Sequence, residues 1–378
     1  MREWARGASA LLVVGVLPVA AGAQDVDPAA IADEIVEALA AMALTATYSE
    51  ATVDGDTVTI TDLTLEAASG GTAGSVSEIV VVNPVALDEG GFFADDVTLT
   101  EGTITDGANV LLWDSVTLID MVIPPEADLA AEAGPELPLS GATIVGLEFL
   151  PADAESVSIG ALTFEVGEVE EGVPYSVTVD IDELELPMDI AGGSEPFATL
   201  QEMGFASLVM DVDIAGTFDA ETDTLFADSA DIVIRDFGDL EITGVFSGLA
   251  LGMLQEPGGI EEVLAAAQVE ALEAHFENGG AMDAFFRVQA ELSGVAPEDV
   301  SVGLAFAFQA YLQTLENPEL ERQIGAAVGA FLRDPQTITL QSDLSEPVPL
   351  MEIVGLVLSA PTALPGLLDL VVTANSAE

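Results

Sequence analysis

Carboxylates at alternate positions are the first feature of this sequence that could do chemistry. The segment FDAETDTLFADSAD places Asp219, Glu221 and Asp223 two residues apart. A calcium loop of the EF-hand type has oxygen ligands at positions 1, 3 and 5, glycine at position 6 and a bidentate glutamate at position 12. Counted from Asp219, the last two positions hold Thr224 and Ala230. The ligand pattern fails, so we predict a hairpin turn at residues 218–231, with a weak cation site as the alternative.

Two other acidic pairs share a side of predicted strands. These are Asp211 with Asp213, and Asp180 with Asp182. The chain has 67 acidic residues, so chance pairs are frequent. We interpret both pairs as solvated strand faces, and the sequence names no metal ligand.

The only histidine, His275, is the only candidate for the base of a catalytic triad. No G-x-S-x-G segment accompanies it, and there is no phosphate loop, dinucleotide glycine fingerprint or zinc pattern. We place His275 beside Phe276 at the border of an apolar helical stripe, in a structural role. The sequence thus predicts a non-enzymatic protein with no catalytic residue and no cofactor. An enzyme that uses paired carboxylates is a third-ranked alternative, because abundant acids give that signal no specificity.

The charge balance is extreme. Six arginines and no lysine stand against 67 acids, a net charge of −61. Between Arg6 and Arg235 no side chain carries positive charge. Salt screens the resulting repulsion, because the Debye length falls to about 3 Å at 1 M. We predict a protein adapted to high salt, with cations as diffuse counterions, that binds neither nucleic acid nor an anionic membrane surface. Half of the residues are apolar, enough for a large core, which excludes global disorder.

The first 23 residues have the three-part form of a secretory signal. Arg2 and Arg6 precede an apolar run, and Ala21 and Ala23 flank Gly22. We predict cleavage after Ala23 and a periplasmic or secreted protein. The alternative is an N-terminal membrane anchor, but the run is shorter than the roughly 20 residues that a span needs. The chain has no cysteine, so disulfides play no part.

A short helix is predicted for residues 24–45. Pro28 suits its first position, and Asp33 and Glu34 lie early, where the helix dipole favours acids. The apolar residues of one helical face then follow: Ile31, Ile35, Leu39 and Met42.

Residues 46–250 alternate between apolar side chains and Thr, Ser or acids, the period of a half-buried strand. One phrase recurs: DTVTITDLTL, DVTLTEGTI, DSVTLIDMVI, ESVSIGALTF and YSVTVDIDELEL. We predict a repetitive β-sheet domain, built of hairpins or of stacked rungs.

Residues 251–335 have the residue spacing typical of helices, with glycine at the segment ends. Four helices are predicted, from GIEEVLAAAQVEALEAHFENGG, AMDAFFRVQAELSG, PEDVSVGLAFAFQAYLQTLENP and ELERQIGAAVGAFLRDP. Residues 336–378 should form a strand, a helix and a strand that return to the sheet. The expected fold class is α+β, a long twisted antiparallel sheet of repeated hairpins with a C-terminal helical region packed on it.

The late helices are rich in apolar side chains. They carry Phe306, Phe308, Tyr311 and Phe331. These side chains fit either a core between helices and sheet or a groove for an acyl chain. Helix positions without large side chains, at Gly303, Gly325 and Gly329, permit a cavity but are equally explained by close packing.

The repeated strand phrases of residues 46–250, together with the signal, resemble the β-rich periplasmic proteins related to AsmA. That resemblance implies contact with lipids along a curved sheet. EPVPLMEIVG and LLDLVVTAN are similar to the ends of uncharacterised exported proteins of proteobacteria. The chain departs from the AsmA pattern in its helical second part and in lacking a retained anchor, and no functional residue carries over. We therefore expect a binder of a lipid or other apolar envelope ligand, or alternatively a structural or interaction protein of the envelope.

Overall fold

The computed structural model describes most of the chain after residue 27. The described ranges are 28–41, 44–67, 71–87, 91–123, 139–152, 154–167, 169–170, 173–188, 195–219, 221–249, 263, 265–313, 318–359 and 363–376. The predicted signal, residues 1–23, lies outside them. The chain divides into two compact units, Met1–Leu186 and Pro187–Glu378. This boundary falls inside the segment 46–250 that the alternating pattern treats as one region.

The described part of unit 1 contains one helix, α1 (Pro28–Ala41), followed by strands. The strands are β1 (Leu44–Thr47), β2 (Glu50–Asp54), β3 (Thr57–Ala67), β4 (Thr72–Val82), β5 (Val85–Ala86), β6 (Phe92–Asp106), β7 (Asn109–Ile123), β8 (Gly141–Leu150), β9 (Val157–Val166), β10 (Val169–Glu170), β11 (Val173–Pro174) and β12 (Ser176–Pro187). The sheet order is β1-β3-β4-β6-β7-β8-β9-β12, with β2 beside β3 and β5 beside β6, and every pairing is antiparallel. The hairpins predicted from the recurring phrase are therefore confirmed.

The alternating pattern builds one apolar face on this sheet. Two cross-strand rows carry it. The first row is Ile60, Ile79, Leu99, Val116, Ile144, Leu162 and Ile181. The second row is Val58, Val81, Val97, Leu118, Ala142, Phe164 and Val179. Between these rows, on the opposite face, lies a mostly polar row: Thr59, Val80, Thr98, Thr117, Thr143, Thr163 and Asp180.

Helix α1 covers one end of the apolar face. It begins at Pro28, as predicted. Ile31 and Ile35 are buried in one cluster with residues of β3, β4 and β6, and Leu39 packs against that cluster. Met42, also predicted for this face, lies outside the described residues. The predicted amphipathic helix is confirmed, and its apolar stripe seals the first strands of the unit 1 sheet.

Unit 2 contains a six-stranded sheet with helices inserted along the chain. The strands are β13 (Ser207–Asp219), β14 (Thr224–Ile234), β15 (Gly238–Ser247), β16 (Gln268–Asn278), β17 (Thr337–Pro349) and β18 (Val371–Ala374), paired antiparallel in this order. The helices are α2 (Glu195–Met203), α3 (Ala281–Ser293), α4 (Pro297–Leu312), α5 (Pro318–Arg333), α6 (Leu350–Ser359) and α7 (Leu364–Leu367). Helices α3 to α6 occupy segments predicted as helical, and β17 and β18 return to the sheet as expected. The α+β fold class is confirmed.

The first of the four predicted late helices is wrong over residues 268–278, which form strand β16 within the region 251–335. That segment pairs with β15 on one side and β17 on the other. The helix propensity of its Glu, Ala and Leu residues contributes less than the backbone hydrogen bonds to strands on both sides. Helix α2 was not predicted at all, because it lies inside the segment assigned to strands.

None of the helices in the described part of the chain is long and apolar enough to cross a membrane.

Candidate functional site

The carboxylates at residues 218–231 lie where β13 turns into β14. Asp219 pairs with Thr224 across the hairpin. The backbone N–H of Glu221 donates to Asp219 Oδ1 at 2.9 Å, so this carboxylate closes the turn. The hairpin prediction is confirmed. Among the described residues no group of three or more His, Cys, Asp or Glu side chains could hold a metal ion. The weakness of calcium binding stays a prediction.

His275 lies on β16 rather than on a helix, which corrects its predicted position. Its Nδ1 is 2.8 Å from Thr339 Oγ1 on β17. On the other side it pairs with Glu241 of β15. The same row continues through Asp231 to Asp213. The row is therefore a cross-strand polar ladder on one face of the unit 2 sheet, and neighbouring strands, not a helix border, position the histidine.

The two acidic pairs occupy strand positions, as predicted. Asp211 and Asp213 are exposed on β13, Asp182 is exposed on β12, and Asp180 is half-buried beside it. Each carboxylate belongs to the polar side of its strand. This position agrees with a solvated face.

The aromatic residues predicted to share one core or groove are divided between two sides of the helices. Phe331 is buried, and its ring centroid lies 6.3 Å from that of Phe276. Phe308 packs against a small buried cluster that contains Leu312. Phe306 is 71% exposed and Tyr311 46% exposed.

The three helical glycines also differ. A Cβ at Gly325 would lie 3.3 Å from Leu312 Cδ1, so this glycine permits close packing of α5 against α4. Gly303 has nothing within 4 Å of the same position, and Gly329 has only an arginine side chain. These glycines therefore do not line one common apolar groove.

The strongest candidate site is the apolar face of unit 1, defined by the two rows across β3, β4, β6, β7, β8, β9 and β12. Its exposure changes along the sheet. Ile60 and Ile79 at the α1 end are 1% and 3% exposed, whereas Ile144 and Leu162 are half-buried. The Ile181 end of the row, on β12, is also half-buried. Within the two rows, the residues of β3 and β4 are thus buried, whereas those of β7 to β12 are half-buried.

The half-buried part of this face is large enough for a ligand. Its four neighbouring strands, spaced about 4.8 Å apart, span about 15 Å across the sheet. The side chains available there are aliphatic or aromatic, among them Leu118, Phe164 and Val179. The two rows contain no charged residue, and the sequence from 24 to 234 contains no Lys or Arg. The surface can desolvate an uncharged chain, but it offers no cationic partner to an anionic headgroup.

No signal in the sequence alone marks where this face loses its cover. The alternation assigns the apolar side of each strand, but the recurring segments on β7, β9 and β12 have the same pattern as those on β3 and β6. Tertiary packing, and not the pattern of each strand, separates the buried row residues from the half-buried ones.

Comparison with known sequences reaches only the C-terminal part. A family model described as "Uncharacterized protein" matches residues 231–375. No curated protein matches the chain. The predicted similarity of the C-terminus to uncharacterised proteins is supported in this form, and the AsmA-like resemblance of residues 46–250 stays a prediction. What the chain is similar to, over residues 231–375, is a family of uncharacterised proteins.

Proposed function

We propose that this is a non-enzymatic exported protein, periplasmic or secreted, that holds or passes an apolar envelope ligand such as a lipid. The observation that carries the proposal is the apolar face of unit 1, whose two uncharged rows are sealed beside α1 and half-buried from β7 to β12. Export rests on the signal-like residues 1–23.

Physical chemistry favours an uncharged apolar ligand on this face. Burying apolar surface contributes about 25 cal/mol per Å². The net charge of −61 repels the carboxylate of a fatty acid and the headgroup of an anionic phospholipid, and the apolar face has no cationic side chain to pair with them. We therefore expect neutral lipids to bind more tightly than anionic lipids of equal chain length.

The first test is native mass spectrometry of the protein purified from its own host in high salt. A co-purified lipid of defined mass is the expected result. Absence of bound lipid, together with no saturable binding of a fluorescent neutral acylglycerol at micromolar protein, would contradict the proposal.

A matched pair of variants locates the binding surface. Ile144→Ser changes the apolar face, whereas Val145→Ser changes the next residue of β8, which is 38% exposed on the other face. We expect Ile144→Ser to weaken acylglycerol binding about fivefold, since partial burial of one aliphatic side chain is worth about 1 kcal/mol. Val145→Ser should leave binding unchanged. Equal losses in both variants would place the lipid elsewhere.

The alternative function is that of a structural or interaction protein of the envelope. One observation favours it: α4 exposes Val302, Phe306 and Tyr311, and the segment from Val300 to Leu315 contains no charged residue. Exposed apolar side chains that cluster on one element are typical of protein interaction surfaces. Loss of self-association or partner capture in Phe306→Ser, with lipid binding absent from the unchanged protein, would support this alternative.

A further inference from the structure

The unit 2 sheet is irregular along one line that crosses four neighbouring strand pairs. The register shifts lie between Ala215 and Gly216 on β13, Ala227 and Ala230 on β14, Val245 and Phe246 on β15, and Val269 and Ala271 on β16. A bulge bends its strand and increases the local twist, and bulges are common beside functional sites. We call this line of register shifts the crease.

A cavity of about 330 Å³ lies at the crease, within the range of about 300–1,000 Å³ that is usual for small-molecule sites. Strands β14 to β17 line it. The lining residues are Phe226, Ala227, Asp228, Thr243, Gly244, Val245, Ala271, Leu272, Glu273, Gln341 and Ser342. This crease cavity is confined to unit 2, whereas the apolar face proposed for lipid lies in unit 1.

Cross-strand pairing divides the lining into an apolar side and a polar side. Phe226 pairs with Val245, and Val245 pairs with Ala271. Two positions along, Thr243 pairs with Glu273, and Glu273 pairs with Gln341. Residues two apart on a strand share a face, so both rows point to the same side of the sheet. A ligand there meets a ring and small aliphatic groups at one end and oxygen atoms at the other.

The charged groups of the lining are both carboxylates. Glu273 is exposed, and the Asp228 carboxylate is held in place by Thr217, whose Oγ1 donates to Asp228 Oδ2 at 2.6 Å. The eleven residues that line the cavity include no arginine, and lysine is absent from the sequence. An anionic ligand would be repelled, whereas a cation would be attracted.

The exposed ring of Phe226 favours an organic cation over a hydrated metal ion. Phe226 is 39% exposed in the lining, although a phenylalanine gains most from full burial. An aromatic face attracts an organic ammonium group within about 6 Å and gains further from contact with its methyl or methylene groups. A hydrated metal ion makes no use of that ring, and no metal-ligand group of three is found among the described residues.

We propose that the crease cavity binds an amphiphilic organic ammonium ion, a protonated amine or quaternary ammonium that carries a short apolar chain. The carboxylates of Asp228 and Glu273 neutralise its charge, and Phe226, Val245 and Ala271 contact its apolar part. The site goes beyond the lipid function proposed for unit 1, and each can fail without the other.

Isothermal titration of the full chain in high salt tests the proposal. Three probes separate charge from apolar contact: octyltrimethylammonium, octanoate with the same chain length and opposite charge, and tetramethylammonium with no chain. We expect saturable binding of one octyltrimethylammonium per chain, and at least about tenfold weaker binding of either other probe, a difference of about 1.4 kcal/mol. Equal binding of octanoate, or non-saturable uptake of all cations, would overturn the proposal.

Variants with matched controls place the ligand. Phe226→Ala and Glu273→Gln should each weaken octyltrimethylammonium binding about two- to fivefold, as expected for a cation beside an exposed ring or carboxylate. Phe226→Tyr retains the ring and should retain the affinity. The control Glu277→Gln removes an exposed charge from the same face of β16, and Phe306→Ala removes an exposed ring from α4. If the control variants weaken binding as much as the cavity variants do, the ligand is attracted by the overall negative charge of the protein and not bound in the cavity.

Discussion

Units 1 and 2 cover their sheets by different means. In the described part of unit 1 one helix, α1, precedes the sheet and shares a buried cluster with β3, β4 and β6, where Val58 and Val81 are 0% exposed. In unit 2 three helices, α3 to α5, lie in the chain between β16 and β17. Helices α4 and α5 together join β17 and β18 in a buried cluster, which has four buried residues in the described part of the chain. Among the described residues, the buried cluster that includes α1 is thus larger than the one that joins α4 and α5 to the unit 2 sheet.

The difference predicts where the stability resides. Removing a large side chain from the buried cluster beside α1 should lower the free energy of unfolding strongly. Removing one from a half-exposed face should lower it only a little. Variants placed in the two units, and solution conditions that act on one unit more than on the other, test this expected difference in stability.

The largest effect is expected from Phe92→Ala in β6. Phe92 is 0% exposed, and its removal leaves a cavity within the α1 cluster. We expect the free energy of unfolding to fall by about 3–5 kcal/mol, measured by denaturant unfolding.

Ile214→Ala on β13 is the matched variant of unit 2. Ile214 is 43% exposed, so the expected loss is below about 1 kcal/mol. Similar losses for the two variants would mean that the two sheets are covered equally well in solution.

A second, smaller effect is expected from salt. Unit 1 has no cationic side chain after Arg6, whereas unit 2 contains Arg235, Arg287, Arg322 and Arg333. Because screening weakens acid–acid repulsion, Tm should rise between low and molar sodium chloride by at least about 2–4 °C, the shift that roughly 1 kcal/mol gives in a mid-sized domain.

Because unit 1 has fewer cationic side chains than unit 2, salt should stabilise unit 1 more than unit 2. Hydrogen exchange followed by mass spectrometry should show a larger gain in protection for peptides of β3 to β7 than for peptides of β14 to β17. A melting temperature that is flat or falls with salt would contradict the first part. A larger gain in unit 2 would contradict the second.

An effect of similar, small size is expected at the β13–β14 hairpin. Asp219→Ala removes the acceptor of the Glu221 N–H and should cost about 0.5–1.5 kcal/mol, the net value of one hydrogen bond. Calcium should not change Tm in the unchanged protein or in the variant, because the positions that would complete a calcium loop hold Thr224 and Ala230. A submicromolar calcium site in calorimetric titration that vanishes in Asp219→Ala would show that the turn has a second role.

Much of the fold could be read from residue spacing. The alternation in DTVTITDLTL places Val58 and Ile60 on one face, and both are buried there. The same holds for the start of α1 at Pro28 and for the return of β17 and β18 to the sheet. These features depend on short-range periodicity and on helix-end chemistry, which are local properties of a chain.

Strand β16 shows where local reasoning failed. The segment QVEALEAHFEN has helix-forming residues with apolar side chains at spacings that fit one face of a helix as well as one side of a strand. Its neighbours β15 and β17 provide hydrogen bonds along both edges, and this non-local pairing decided the outcome. The position of His275 beside Thr339 followed from it.

The sequence by itself determined which side of each recurring strand segment is apolar, which segments form α3 to α6, and that no cationic side chain lies between Arg6 and Arg235. The tertiary structure decided how far the apolar sides are covered, since Ile60 and Ile79 are buried whereas Ile144 and Leu162 are half-buried. It also decided the alignment of the four register shifts and hence the crease cavity. The physical reason is that periodicity is a property of one segment, whereas cover and register depend on partners that are distant in the chain.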